Sequence, residues 1–317
     1  MFNSQSLNKS ELQKNLSFYL KSFDVSNSEV ESQIIIAHAA NKDLFLDVDY
    51  KNINFDILKK IIIERVNGKP LSKILNQKGF WNQIFYTNQY TLDPRQESEI
   101  IVENILKDLN GLKKQNLSFI DLCCGTGCLG ISLLEELNSS ECYFIDISVE
   151  ALEVCKKNIS KMNVHNRSQI FKSNLFEDVP EGNIINSYFI VANPPYIPTN
   201  HIKNLDKSTL YDPILALDGG SDWLFFYKEI INYMYEIEYK GEVYFEIDPM
   251  IISDFLKFLL EKNVKISYKK DDYLKLDRLL KISFPFNYWR VFIKKIINNI
   301  IHEKFYKKKT IWFSKKK

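Results

Sequence analysis

Two periodicities divide the chain. Over roughly the first 70 residues, apolar positions recur at helical steps. Ser26-Asn27-Ser28-Glu29 fits a capping box, with Ser26 as N-cap and Glu29 reaching back, and Val30, Ile34 and Ala37 follow at helical spacing. A later helix carries Leu58, Ile61, Ile62 and Val66 on one stripe and is closed by Gly68 and Pro70. The pattern predicts a small helical bundle. It is too small to hold an active site of its own, so its expected task is packing or holding a partner.

From about residue 117 the pattern changes to short apolar runs alternating with amphipathic stretches. Strands are expected at 117–122, 142–147, 169–172, 188–192, 243–247, 264–268 and 279–284. Helices are expected from the turn after 122 to 137, then at 149–161, 223–235 and 251–262. Such alternation predicts an α/β fold, a mostly parallel sheet covered on both faces, with ligands at the C-terminal ends of its strands. The expected division is a helical bundle at 1–75, a connecting hairpin and helix at 76–116, the α/β domain at 117–284 and a tail at 285–317. In the tail, Trp289, Phe292, Ile293, Ile296, Ile297, Ile300 and Ile301 share one helical face and Lys the other, which is a basic amphipathic helix.

Composition narrows the class. At 45% apolar and 26% charged, the 317 residues are neither disordered nor fibrous. No apolar run approaches the roughly 18–20 residues that span a bilayer, and Met1-Phe2-Asn3-Ser4-Gln5 does not open a secretory signal. The five cysteines, Cys123, Cys124, Cys128, Cys142 and Cys155, are odd in number and clustered, which argues against a disulfide framework and for a reducing, cytoplasmic setting. The net charge of +2 hides an asymmetry: the tail holds ten Lys/Arg against Glu303, leaving −7 on the body. The body therefore has no general nucleic-acid footprint. The tail's Lys face suits RNA or an anionic membrane surface, unless its apolar stripe docks on the body and the lysines are simply solvated.

The chemistry concentrates in two motifs. Asp121-Leu122-Cys123-Cys124-Gly125-Thr126-Gly127-Cys128-Leu129-Gly130 follows a strand and opens a helix, and Gly125-x-Gly127-x-x-Gly130 matches the dinucleotide fingerprint. Asp146, 21 residues after Gly125, ends the next strand, where a carboxylate can accept both ribose hydroxyls. The glycines alone do not separate a nicotinamide cofactor from another adenosine cofactor, and a tight turn without a ligand has the same spacing. Asp121 tips the choice. It would repel a pyrophosphate and attract an α-amino group, so S-adenosylmethionine is favoured. A metal is not expected: there is no Cys-x-x-Cys pair, and His38, His165, His201 and His302 are scattered. A reactive thiol at the helix N-terminus is an open expectation.

Asn193-Pro194-Pro195-Tyr196 ends the fourth strand. Two prolines there read most simply as a loop that stops the strand. At this place, however, a substrate meets the cofactor. A planar –NH2 group has two N–H donors and a delocalised lone pair, so it is a poor nucleophile. The Asn193 side-chain oxygen and the Pro194 carbonyl can hold both hydrogens, Pro195 stiffens the backbone, and Tyr196 can pack on the planar group. The same acceptors hold the nitrogen more strongly as it becomes positive.

On these motifs the chain resembles the HemK/PrmC family of release factor glutamine methyltransferases, from about residue 1 to 284. The resemblance also rests on Gly68-Lys69-Pro70, Leu92-Asp93-Pro94-Arg95-Gln96-Glu97-Ser98-Glu99, Ser173-Asn174-Leu175-Phe176, Tyr211-Asp212-Pro213, Leu215-Ala216-Leu217-Asp218-Gly219-Gly220 and Asp277-Arg278. Asn-Pro-Pro-Tyr alone is shared with adenine-N6 methyltransferases. The Pro-Arg-x-x-Ser-Glu and Ala-Leu-Asp-Gly-Gly stretches are more specific. The resemblance implies a Rossmann-like class I S-adenosylmethionine-dependent methyltransferase sheet behind a small N-terminal helical domain. The implied substrate is the glutamine of the Gly-Gly-Gln loop of class-1 peptide release factors, which the helical domain helps to hold. It implies a cofactor pocket lined by Cys123, Cys124, Gly125, Thr126, Gly127, Asp146, Asn174, Leu175 and Asn193, to which the residue argument adds Asp121. Four positions depart from the family pattern: Cys123 stands for Gly, Asn174 for Asp, Gln96 for Pro, and Asp248 for the Gly that often follows Glu246-Ile247. The competing readings are a ribosomal-protein glutamine methyltransferase, a nucleic-acid adenine-N6 methyltransferase, which the acidic body disfavours, and a cofactor-binding scaffold without activity, which the intact Asn193 box disfavours.

Overall fold

The computed structural model describes residues 9–41, 52–110, 116–262, 265–269 and 278–284. The basic tail, Asp277 and the start expected at 264 lie outside them. Helices α1 (Lys9–Lys21) and α2 (Ser28–Ala39) pack together, followed by α3 (Phe55–Val66) and the short α4 (Leu71–Leu75). Leu12, Leu16 and Leu20, one helical turn apart, meet Ile35, Ile36, Leu58 and Ile61 in a separate apolar core. The start of α2 differs from the sequence expectation. Its N-cap is Asn27, which makes no side-chain cap bond, and Val30 is exposed while Ile35, Ile36, Ala37 and Ala39 are buried. Ser28 is buried against α1, where its hydroxyl lies 3.3 Å from that of Ser17. Packing against α1, rather than a capping box, therefore sets the rotation of α2. The α3 stripe holds as expected, opened by an Asn54 cap on the Asp56 and Ile57 amides and closed by Gly68 at φ +94°.

A two-stranded hairpin, β1 (Gln77–Phe80) and β2 (Gln83–Tyr86), and helix α5 (Glu99–Asp108) connect this bundle to the sheet. There follow β3 (Ser118–Leu122), α6 (Cys128–Glu136), β4 (Glu141–Asp146), α7 (Val149–Lys161), β5 (Ser168–Lys172), α8 (Glu181–Ile185) and β6 (Phe189–Ala192). A small pair, β7 (Ile197–Pro198) and β8 (Asp218–Gly220), precedes α9 (Phe225–Glu236), β9 (Glu242–Glu246), α10 (Ile252–Lys262), β10 (Lys265–Lys269) and β11 (Leu279–Ser283).

Seven strands form one sheet in the order β10-β11-β9-β6-β3-β4-β5, parallel from β9 to β5, with β11 antiparallel to both of its neighbours. Alternation along the strands builds two cores. Phe119, Phe144 and Phe189 face α5, α6 and α7, while Ile120, Ile145, Ile190 and Phe245 face α9 and α10. This is the expected Rossmann-like class I methyltransferase arrangement behind a helical N-terminal part. Strand order reverses between β3 and β6, which lie side by side with Leu122 opposite Ala192. Such a reversal leaves a crevice at the C-terminal strand ends. Among the described residues no helix is long and apolar enough to cross a membrane.

Candidate functional site

The crevice begins with the glycine turn. After β3 the backbone enters left-handed conformations at Cys123 (φ +58°), Gly125 (+52°) and Gly127 (+75°). The turn is tied down by Cys124 N–H donating to the Ile145 carbonyl (3.0 Å) and Gly127 N–H to the Cys124 carbonyl (2.7 Å). The three glycines of the fingerprint are used differently. A Cβ on Gly125 would meet nothing within 4 Å, because it faces the open cavity. One on Gly127 would stand 2.7 Å from Cys155 Sγ, and one on Gly130 would stand 2.6 Å from Phe144 and 2.9 Å from Asp121 Oδ2. Gly125 therefore leaves room for a guest, while Gly127 admits Cys155 of α7 and Gly130 lets α6 pack down on β3 and β4.

Two carboxylates frame the turn. Asp121 is almost wholly buried, and one of its oxygens accepts the Gly130 N–H at 2.8 Å. Burial, reinforced by the nearby Asp146 charge against the Gly130 bond, pushes its pKa up to about 8. Asp146 accepts Gly125 N–H (2.8 Å) through Oδ2 and Ser148 N–H (2.9 Å) through Oδ1, and burial raises its pKa as well. With Ile147 as a further backbone donor, the carboxylate still keeps acceptor capacity for a hydroxyl donor. Beyond β5, the Asn174 –NH2 group donates to Glu177 Oε1 (2.8 Å), so its carbonyl oxygen remains as an acceptor. Leu175 follows at φ +50°.

Asn193 emerges from β6 beside the point where Cys123 leaves β3. Among the described residues nothing hydrogen-bonds the Asn193 side chain or the Pro194 carbonyl, so both stand as free acceptors. A cavity of about 160 Å³ joins these features. Of the residues singled out in the sequence, Asp121, Cys123, Cys124, Gly125, Thr126, Asp146, Asn174, Leu175, Asn193 and Pro195 line it. Gly127, Pro194 and Tyr196 are not among its lining residues: Gly127 packs into the core beneath, Pro194 is buried, and Tyr196 packs against the α9–α10 core. The Tyr196 hydroxyl is pushed up to about 12 by burial and by the nearby Glu246 and Asp248 charges.

The thiols do not fit the expectation of a reactive cysteine. Burial raises Cys123, Cys124 and Cys142, and it takes Cys128, at the first position of α6, to about 12. The adjacent Asp121 and Asp146 charges add to the effect at Cys123, so desolvation overrides the helix N-terminus.

The opposite wall was carried by motifs to which the sequence argument gave no role. Arg95, Ser98, Pro213, Leu215 and Ala216 line the same cavity. Behind them lies a buried ion network. Lys73 Nζ lies 2.9 Å from Asp93 Oδ1 and 2.9 Å from Asp212 Oδ1, and it donates to the carbonyls of Asn88 (2.8 Å) and Thr91 (2.7 Å). Arg95 donates to Asp212 Oδ2 at 2.6 Å. Burial pushes Asp93 up, but Lys73 and the hydroxyls of Ser72 and Thr87 together hold its pKa below the usual value. Two cations and two carboxylates thus lock α4, the segment before α5 and the loop beyond the Asn193 box into one unit. At the end of β9, Glu246 is buried and bonded to the Ser98 hydroxyl, and burial raises its pKa.

Comparison with known proteins agrees with this geometry. The family model "Methyltransferase small domain" matches residues 92–215. A release factor glutamine methyltransferase of Leptospira interrogans is 35% identical over 251 residues, covering 74% of this chain and 85% of the relative. A release factor glutamine methyltransferase of Mycoplasma mycoides subsp. mycoides is 30% identical over 269 residues, covering 80% and 92%. Among solved structures, the hMettl16 catalytic domain in complex with MAT2A 3'UTR hairpin 1 superposes with a TM-score of 0.52 over 89% of this chain and 96% of that one. At 14% identity that likeness is one of fold.

Proposed function

The chain belongs to the release factor glutamine methyltransferases, and from that membership we propose that it transfers the methyl group of S-adenosylmethionine to the side-chain nitrogen of the glutamine in the Gly-Gly-Gln loop of class-1 peptide release factors. The observation that carries the reading is Asn193, whose side chain accepts no hydrogen bond from the described residues, lining the cavity at the end of β6 beside the Gly125 turn.

The residues present suit the cofactor. A buried carboxylate whose proton leaves only near pH 8 is matched by a cationic guest, and Asp121 would face the α-ammonium group. Asp146 would take the ribose hydroxyls and the Asn174 carbonyl oxygen the adenine amino group, against Leu175. Cys123, Cys124, Gly125 and Thr126 would form the floor. Gly127 acts from beneath, as the packing that holds this floor. Arg95, the one Lys or Arg among the described lining residues, suits a carboxylate. When bound, the cofactor supplies an electrophilic methyl group on a sulfonium.

The chain's own contribution is orientation. Asn193 Oδ1 and the Pro194 carbonyl each accept one N–H of the glutamine amide, which aims its nitrogen into the cavity. Their grip strengthens as the nitrogen gains positive charge, so binding energy is spent in the transition state. Pro195 limits the freedom of that backbone, and the half-buried Tyr196 supports it from the core side. The surplus proton leaves after transfer, so no general base is required beforehand. The helical part at 1–75 would hold the release factor, and the cytoplasm, where such factors act, is the expected site of action.

The test is to incubate the protein with methyl-labelled S-adenosylmethionine, a class-1 release factor, ribosomal protein and DNA. Label on the release factor glutamine is expected, and label only on ribosomal protein or DNA would overturn the substrate assignment. Asn193→Ala is expected to keep most cofactor affinity and lose roughly two or more powers of ten in turnover. Wild-type turnover in that variant would remove the role given to Asn193.

A further inference from the structure

We propose that Asp218 and Gly219 are positioning residues for methyl transfer: β8 is a strap that fixes the backbone of the Asn193–Tyr196 box. The inference rests on the function proposed above, because it concerns the aim of the same two acceptors.

The box has little to hold it from within. Neither proline has an N–H, and the polar side chain at its head has no hydrogen-bond partner among the described residues. Proline fixes φ, yet a stiff segment can still pivot about its ends. Upstream it is anchored by β6, which pairs with β3 on one side and β9 on the other. Downstream the anchor is the small β7–β8 pair. Ile197 N–H, the first amide after the box, donates to the Leu217 carbonyl at 2.9 Å. Asp218 Oδ1 accepts the Thr199 hydroxyl at 2.7 Å and the Gly220 N–H at 2.8 Å, tying β8 to the residue that follows β7 through one oxygen.

Gly219 makes the contact intimate. A Cβ there would stand 2.8 Å from Tyr196 Cα, 2.9 Å from the Tyr196 carbonyl carbon and 3.0 Å from the Pro195 carbonyl oxygen. All three are backbone atoms, which cannot rotate aside as a side-chain tip can. Gly219 is not required for an unusual φ, since its neighbour Gly220 takes the left-handed turn at +86°. It is required because the strap lies directly on the box. The same segment carries Pro213, Leu215 and Ala216 into the wall of the cavity that Asn193 and Pro195 also line, so one stretch of chain both walls the cavity and lies on the box. A misplacement of about 1 Å at a positioned group costs on the order of a hundredfold in rate.

The experiment measures kcat and KM on a purified release factor, with cofactor Kd by calorimetry and thermal unfolding alongside. Gly219→Ala is expected to lower kcat tenfold or more, with cofactor Kd unchanged within about twofold. Asp218→Ala removes the shared acceptor and is expected to lower kcat severalfold, while Asp218→Asn keeps a carbonyl oxygen and is expected to restore most of it. Gly182→Ala, at a helix position with nothing within 4 Å of the added carbon, is the neutral control. Wild-type kcat in Gly219→Ala overturns the inference. So does a loss that tracks cofactor affinity or unfolding, or an Asp218→Asn variant no better than Asp218→Ala. If the wild type labels no release factor, the substrate reading falls first and takes this inference with it. If the wild type labels and Gly219→Ala labels equally well, this inference alone falls.

Discussion

Asp121 offers the sharpest test of the cofactor pocket, because its carboxyl group is uncomfortable without a cation. In the unfolded chain it titrates at the ordinary 3.8, and in the fold burial carries it to about 8. Between those values the folded protein holds a proton that the unfolded chain has released. Stability is therefore fully present below pH 4 and is lost as pH rises toward 8, at about 1.4 kcal/mol per pH unit. Over the window this amounts to about 6 kcal/mol, a large share of a typical domain's stability. Asp146 is raised in the same direction, so wild type alone would not isolate the effect. Asp121→Asn does: it keeps a carbonyl oxygen for the Gly130 N–H and removes the ionisation. Urea unfolding of the cofactor-free protein from pH 4 to 8.5 should show the variant gaining on wild type steadily with pH, then levelling off. The cofactor should show the converse. Wild-type affinity for S-adenosylmethionine should strengthen as pH rises toward 8, and the variant should bind more weakly at pH 8 with a flatter profile. Parallel stability curves for the two proteins would mean that Asp121 ionises freely, and the cation-binding role would be withdrawn.

Two further expectations follow from neighbouring groups. Lys73→Met should destabilise the protein by about 3–5 kcal/mol in urea, since it leaves Asp93 and Asp212 buried with Arg95 as the remaining cation, and a loss under 1 kcal/mol would show that the network is well solvated. Cys128 should react with a thiol reagent at pH 7.5 about a thousandfold more slowly in the folded protein than in urea, because its pKa of about 12 leaves so little thiolate, and equal rates would contradict the burial argument.

Much of this architecture was legible in the order of residues. Apolar runs and amphipathic stretches located the seven strands of the sheet and helices α6, α7, α9 and α10 to within a residue or two, and helix 149–161 matches Val149–Lys161 at both ends, while the short α8 was not foreseen. The glycine turn, Asp146 and Asn193, each picked out by local motif, line one cavity. Local pattern failed where packing overrode it. Ser26 looked like a cap and Val30 like a core residue, yet α2 is rotated by its contact with α1. A reactive thiol was an open expectation at the start of α6, yet desolvation of Cys128 by the surrounding fold raises its pKa.

What remained belonged to the tertiary structure. Strand order alone brings Leu122 beside Ala192, and with them the glycine turn and Asn193 from distant parts of the chain. Only folding gathers Lys73, Asp93, Arg95 and Asp212 into one network and lays Gly219 against Tyr196. Periodicity reports which side of an element is apolar, because that follows from bond geometry a few residues long. It carries no information on which distant element covers that side, and burial, pKa and close backbone approach are all consequences of that choice.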